Sequence, residues 1–276
     1  MKKIINIVLA LLLSVALVGN IALFIVSNTI LNKEYIVAQL DKNEFYSRID
    51  TDLKNKLENY TYQSGLPKEV FENLYEEDDI KEYVLHIVDC IYGDSSLKQE
   101  NVPQIEEKLS DNITIYLKEN NVSMTKEIEN NIKEFKKIVV NAWNDSFSVP
   151  TEKISGIYNV ANKFSDVISK ILIVALILLI VIVIIVNVAN MAEGLNYIMI
   201  SLFVSGILLR LVPWVVNSNI NVENILIWSQ SISDFAKQII FDVFDKLNSY
   251  GIMLIFIGIV GIVASNYWKV KRRIDD

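Results

Sequence analysis

The sequence predicts an all-α membrane protein in which four transmembrane helices form a bundle and an α-helical extracytoplasmic domain is inserted between spans one and two. Three observations support this prediction. Of the 276 residues, 52% are hydrophobic and only 21% are charged, and the mean hydropathy is +0.33. The apolar residues are concentrated in four long runs, each close to the about 20 residues that cross a bilayer. Between these runs, apolar residues recur with the period of a helix and do not alternate as in a strand.

The four apolar runs are the predicted membrane spans. The first, from Ile4 to Asn32, contains no charged residue, and the second includes an unbroken aliphatic stretch from Ile171 to Val186. The third, from Leu195 to Val216, contains one ionisable residue, Arg210, and the fourth, from Tyr250 to Trp268, contains none. Each of these runs is therefore expected to form one transmembrane helix.

The first run follows Met1-Lys2-Lys3, which is also how a cleaved signal peptide begins. A possible cleavage site lies at Ser14-Val15-Ala16, but the apolar run continues well past it. The apolar part of a signal peptide is only about 7–15 residues long. We therefore expect residues 1–31 to remain as an uncleaved N-terminal anchor.

Basic residues beside the spans predict how the chain is oriented in the membrane, because they accumulate on the cytoplasmic side. These residues are Lys2, Lys3, Lys269, Lys271, Arg272 and Arg273. An even number of spans puts both basic termini on one side, which we expect to be the cytoplasm. Residues 32–168 and 217–249 would then lie outside the cell. Trp214 and Trp268 are expected at the membrane interfaces, where aromatic residues are enriched.

The predicted external domain, residues 32–168, carries 16 basic and 26 acidic residues, whereas the whole chain has a net charge of −7. This excess of negative charge repels nucleic acid, so we expect no nucleic-acid partner. Its Gly and Pro residues lie at a few positions only, near Gly65, Gly93, Pro103 and Pro150, and they divide the domain into five or six predicted helices.

Two longer elements follow from the absence of helix breakers. A single helix is predicted from about 151 to 190, which would be ~60 Å long and would form a stalk leading into span two. Residues 35–62 are the predicted antiparallel partner of that stalk. The remaining parts of the chain are spans two and three in 169–216, an external segment in 217–249, and span four with its basic tail in 250–276.

The segment 217–249 is predicted to contain a strongly amphipathic helix. Its apolar face includes Ile232, Phe235, Ile239, Val243 and Leu247, and its opposite face is acidic. Such a helix lies either on the outer leaflet or against protein. Since membrane-surface helices favour Lys and Arg on the polar face, we expect packing against the external domain.

The only histidine, His86, shares a predicted helix face with Glu82, Asp89 and Cys90. Zinc accepts the side-chain nitrogen, sulfur and oxygen atoms of these residue types as ligands. The opposite face is apolar, which is the ordinary pattern of an amphipathic helix, and one helix face cannot surround a tetrahedral ion. The four residues are therefore weak candidates for a metal site, and no metal or other cofactor is expected.

The sequence contains no phosphate-binding loop, no His-Glu-x-x-His motif and no Gly-rich dinucleotide turn. We therefore expect no catalytic residues and no enzymatic activity. The side chain of Arg210 is expected to extend towards the lipid headgroups and the water beyond them. The alternative is that Arg210 makes a specific contact with a lipid headgroup or with a neighbouring helix. Gly251, Gly258, Gly261 and Ser265 form a small-residue stripe on span four, which predicts close helix packing within the bundle or between copies.

Three segments resemble a set of uncharacterised four-pass membrane proteins of Gram-positive bacteria. They are EFYSRI around Tyr46, SGLPKEVFENL at 64–74 and LNYIMISLFVSGILL at 195–209. The resemblance covers nearly the whole chain and implies a helical extracytoplasmic domain, but no known function. The order of the spans is also similar to that of FtsX/MacB-type permeases, although the inner loop at 187–194 is very short.

Two classes of function are compatible with these features. The first is a non-enzymatic protein of the bacterial envelope that acts as a sensor, scaffold or interaction module through its external domain. The second is a permease-like subunit of an ABC-type or other envelope complex. Besides the lipid bilayer, the expected partner is another protein or a second copy bound through the membrane spans.

Overall fold

The computed structural model describes residues 1–64, 66–93, 105–224 and 229–275. Of the described residues 87% are helical and none forms a strand, which confirms the all-α prediction. Four of its helices are long and apolar enough to cross a membrane, in agreement with a multi-pass membrane protein. The chain divides into two compact units, here called the span unit and the domain unit.

The span unit consists of Met1–Asn32, Val160–Ile225 and Lys237–Asp276. Its helices are α1 (Lys2–Ser27), the later part of α7 (Thr151–Val186), α8 (Met191–Ile220) and the later part of α9 (Gln230–Asp275). A small buried cluster joins Ile25 of α1, Leu209 of α8 and both Val243 and Leu247 of α9. Three of the four spans therefore share one apolar contact region.

The domain unit consists of Lys33–Asn159 and Leu226–Ala236. Its helices are α2 (Lys33–Lys42), α3 (Phe45–Ser64), α4 (Glu77–Tyr92), α5 (Ile105–Glu119), α6 (Lys126–Ser146) and a short 3-10 helix at Lys68–Phe71. The described residues between α1 and α7 thus contain five α-helices, as expected. Their apolar faces meet in one core that includes Ile49, Leu53, Ile80, Leu109 and Trp143.

Most helix ends in the domain unit follow from local sequence. Gly93 ends α4 in the left-handed conformation, with φ of 83°, which a residue without a side chain adopts at no steric cost. The carboxylate of Asp79 accepts a hydrogen bond from the backbone N–H of Glu76 at 2.8 Å and stabilises the start of α4. Thr151 begins α7 directly after Pro150, as predicted, whereas Pro103 lies outside the described residues.

One predicted element, the antiparallel stalk partner at 35–62, differs from the structure. This stretch contains two helices, α2 and α3, which are separated where Glu44 adopts a φ of 51°. The buried face of α3 also lies in the domain core and packs on α4 and α6, because its apolar residues are used there. It is not the stalk partner that the sequence suggested.

Both α7 and α9 are longer than a membrane span. The helix predicted at 151–190 is observed as Thr151–Val186 and ends shortly before the expected position. The helix α9 has 46 residues and carries both the amphipathic segment and span four without interruption. No proline lies between Gln230 and Asp275, so nothing in the sequence ends the helix at the edge of the span.

Candidate functional site

The four weak metal-ligand candidates lie on α4, where two of them contact each other and a third is paired with a lysine. The Sγ of Cys90 is 3.7 Å from Nε2 of His86, and a carboxylate oxygen of Asp89 is 2.9 Å from Nζ of Lys33. Glu82 is exposed to solvent. In the part of the chain that the structure describes, no three His, Cys, Asp or Glu side chains are grouped so that they could hold a metal ion.

Four tyrosines of the domain unit have raised pKa values. Burial raises the pKa of Tyr46 to about 12, and the negative charge of Asp41 adds to this effect. Burial also raises the pKa values of Tyr75, Tyr83 and Tyr92. A raised pKa keeps each phenol protonated, so these side chains can donate but not accept a proton in ordinary conditions.

Two concave regions lie among the described residues of the domain unit. The first is an apolar cavity of about 350 Å³ between α5 and α6, and its only amide side chain is that of Asn131. The second, of about 420 Å³, lies between α3 and the 3-10 helix and includes both Lys54 and Lys68. Both volumes fall in the ~300–1,000 Å³ range of small-molecule sites.

The small residues of span four lie against α8. A Cβ added to Gly258 would be 2.7 Å from the backbone N of Phe203, and one added to Gly251 would be 2.8 Å from the carbonyl oxygen of Gly206. At Gly261 the added atom would overlap Met199. Because main-chain atoms are met at Gly251 and Gly258, the two helices approach so closely there that only glycine fits without a shift of the backbone.

Ser265, the last member of the stripe, makes a polar contact with α8. Its hydroxyl donates a hydrogen bond to Oδ1 of Asn196 at 3.0 Å. The side chain is 1% exposed, so this bond satisfies a polar group that has no access to solvent. The stripe on span four is thus in contact with α8 of the same chain along its length.

A buried amide pair in the span unit was not anticipated from the sequence. Nδ2 of Asn6 donates to Oδ1 of Asn187 at 3.0 Å, and Nδ2 of Asn187 donates to Oδ1 of Asn6 at 2.9 Å. Both residues have no exposed surface. The sequence did contain an indication of it, since Asn6 lies within the first apolar run. An amide side chain inside a helix bundle needs a polar partner.

Serine hydroxyls make a second polar connection, between α1 and α8. The Ser14 hydroxyl donates to the Ser201 carbonyl at 3.1 Å, and the Ser205 hydroxyl donates to the Ser14 carbonyl at 3.2 Å. All three side chains are buried. Small hydroxyl residues allow the two backbones to approach, as in other membrane helix pairs.

The residues predicted at the membrane interfaces are exposed on the helices that carry them. Trp214 on α8 is 68% exposed and Trp268 on α9 is 44% exposed. Arg210 is also exposed, and its stem lies where a side chain on Gly251 would have to be, 2.7 Å from the added Cβ. The stem of Arg210 therefore lies against α9 at Gly251.

The features found among the described residues are close helix packing, two concave surfaces and four tyrosines whose pKa values are raised. The described residues bring the small-residue stripe into contact with α8 and leave the four ligand candidates on α4 without a common centre. Comparison with family models, with curated proteins and with solved structures finds no match for this chain.

Proposed function

We propose that this chain is a non-enzymatic integral membrane protein of the bacterial envelope, whose acidic helical domain lies outside the cytoplasm and acts as a sensor or scaffold. The domain unit supports this proposal because it has its own hydrophobic core, and because the two concave surfaces described above belong to it. A concave surface is the usual form of a binding site. Its partner is expected to be a protein or small molecule, since its negative charge disfavours nucleic acid.

The observation that carries the proposal is the shared use of α9. Near its start, Phe235 packs against Phe45 with ring centroids 5.1 Å apart, and the Ser231 hydroxyl donates a hydrogen bond to Asp52. The same helix continues as a candidate membrane span. A change in the packing of the domain core would therefore act directly on a helix that crosses the membrane, which is what a sensor requires.

The location of the domain is the first part of the proposal to test. Cys90 is only 7% exposed, so failure to label it would report burial and not topology. In a Cys90→Ser background, Glu129→Cys on α6 is expected to react with a membrane-impermeant maleimide in intact cells, because Glu129 is exposed. Ala189→Cys, in the turn between α7 and α8, is the matched control and is expected to react only after lysis. The reverse pattern would place the domain in the cytoplasm and contradict the proposal.

The sensor function is tested by interrupting the helices that serve both units. A short Gly-Ser insertion after Ala236 in α9, or near Asp166 in α7, is expected to reproduce the phenotype of gene deletion under envelope stress. The control is the same insertion in the turn at 122–124, where it breaks no helix. If the helix insertions behave as wild type while deletion does not, the domain acts by display alone. Co-purification with an ATPase would instead favour the permease-like alternative.

A further inference from the structure

Within the span unit, helix α7 and the turn after it contribute buried side chains only near the two ends of the span. From residue 160 to residue 190, the buried side chains are Ser165, Val183 and Asn187. The buried apolar cluster of the span unit joins α1, α8 and α9, and none of its described members belongs to α7. A segment with few buried apolar contacts is the kind that opens locally while the rest of a fold stays closed.

Two polar contacts connect these buried ends of α7 to α1. The amide pair consists of Asn6 and Asn187, which exchange hydrogen bonds of 3.0 and 2.9 Å directly after the last residue of α7. At the other end, the hydroxyl oxygens of Ser27 and Ser165 lie 2.7 Å apart and share one hydrogen bond. On α1 the two contacts are 21 positions apart, which is ~32 Å of helix and close to the thickness of the hydrocarbon core.

Between these two polar contacts, α1 and α7 meet through an apolar side chain. A Cβ added to Gly19 of α1 would lie 3.0 Å from a methyl carbon of Leu172. Leu172 is only half-buried. An aliphatic side chain against a glycine forms no directional bond, so the middle of the helix pair can separate without leaving a polar group unpaired.

The amide pair is built to stay closed. Both of its residues are 0% exposed, and Nδ2 of Asn187 also donates a hydrogen bond to the carbonyl of Val183 at 2.8 Å. Helix α8 lies against the same residue, because a Cβ on Gly194 would be 2.9 Å from the Cβ of Asn187. Separation would leave two amides in an apolar interior with neither each other nor water as a partner, which is unfavourable.

The serine contact is built to open. It is a single hydrogen bond, Ser27 is only half-buried, and a serine in a helix can instead donate to a carbonyl of the preceding turn. Next to Ser165, Asp166 and Lys170 form an ion pair of 2.7 Å, and their side chains are 63% and 71% exposed. Exposed charges remain in water or at the headgroups, so water is available at this end to replace the hydrogen bond.

We infer that α7 pivots about the amide pair and that the Ser27–Ser165 contact is a releasable latch. In the closed state the two hydroxyls are bonded to each other. In the released state each hydroxyl bonds to its own helix or to water, and the Ser165 end of α7 has moved away from α1. The hinge is the short turn after α7, as hinges usually lie in a few residues at the end of an element. The inference goes beyond the proposed function and does not depend on it.

The direct test compares the two ends of the α1–α7 pair by pulsed electron paramagnetic resonance. The protein is the full-length Cys90→Ser chain in lipid vesicles, with spin labels on paired cysteines. Asn28→Cys with Phe164→Cys reports on the latch, and Val8→Cys with Ile185→Cys is the matched pair beside the amides. All four side chains are exposed, so the labels have room.

The pair beside the latch is expected to give two distances, one for the closed and one for the released state. The pair beside the amides is expected to give a single narrow distribution. Narrow distributions at both ends would show that α7 is fixed, and broad ones at both ends would show that it has no pivot. A broad distribution beside the amides alone would reverse the assignment. Each of these three results would overturn the inference.

A serine substitution tests the latch itself in the chain labelled at 28 and 164. Ser165→Ala removes one of the two hydroxyls and is expected to raise the fraction of the longer distance at least two-fold. Ser169→Ala is the matched control, because that hydroxyl donates to the carbonyl of Asp166 within the same helix at 3.1 Å. It is expected to leave the distribution unchanged. No change in Ser165→Ala, or the same change in both variants, would contradict the latch.

Discussion

Replacement of Trp143 by alanine is expected to destabilise the domain unit by about 3–5 kcal/mol, the range for removal of a large buried aromatic residue. Trp143 is 1% exposed. The centroid of its ring lies 4.7 Å from the ring centroid of Phe147, 5.3 Å from that of Tyr75 and 6.0 Å from that of Tyr83. Its removal would leave a cavity that these rings cannot fill without moving. Thermal unfolding of the purified full chain, followed by circular dichroism and limited proteolysis, would measure the loss.

Two variants provide the comparison for Trp143→Ala. Ile138→Ala is on the same helix but 45% exposed, so its effect is expected to stay within about 0.5 kcal/mol, as for other surface substitutions. Trp143→Phe should have an intermediate effect, because an aromatic ring still fills part of the space. The indole N–H is buried without a hydrogen-bond partner among the described residues, so this substitution removes no hydrogen bond. A Trp143→Ala variant as stable as Ile138→Ala would show that the aromatic cluster does not support the core.

Gly258→Ala is expected to disrupt the packing of α8 against α9. The added Cβ would lie 2.7 Å from the backbone N and 2.8 Å from the Cα of Phe203. These are main-chain atoms and cannot rotate away, so the two helices would have to separate. Overpacking of this kind costs about 1–3 kcal/mol or more. Gly206→Ala should behave alike, since its Cβ would meet both the carbonyl oxygen of Gly251 and the backbone N of Ile255.

The matched control is Gly156→Ala in α7, where nothing lies within 4 Å of the added Cβ. Alanine is favoured over glycine in a helix by about 1 kcal/mol, so this variant should be neutral or slightly stabilised. Resistance to heat and to denaturing detergent would distinguish the variants. If Gly258→Ala and Gly156→Ala were equally stable, the close approach of α8 and α9 would be contradicted.

Much of the architecture was predictable because it depends on local chemistry. Runs of apolar residues without charges can form only spans or buried helices, and four candidate spans are observed. Gly93 and Pro150 mark helix boundaries because their backbone preferences act within one turn. The start of α4 is stabilised just as locally, because the carboxylate of Asp79 accepts a hydrogen bond from the backbone N–H of Glu76.

The contacts between helices could not be assigned from the sequence. In an apolar span every face has the same hydrophobic character, so composition does not indicate which face packs against protein. The stripe at Gly251 and Gly258 predicted close packing but left open whether its partner was in the same chain or in another copy. The tertiary structure places α8 of the same chain against it.

The sequence by itself determined that the chain is helical, that it has four candidate spans and that a long acidic segment lies between the first span and the second. Each of these properties arises from residues that are neighbours in the chain. The sequence also predicted that the amphipathic segment of α9 packs against the domain, and Phe235 does so. Only the tertiary structure decided that Asn6 pairs with Asn187 and that Val243 and Leu247 of the same apolar face instead join Ile25 and Leu209 in the span unit. Those contacts join residues far apart in the chain. They depend on the relative position of separate helices, which no local pattern specifies.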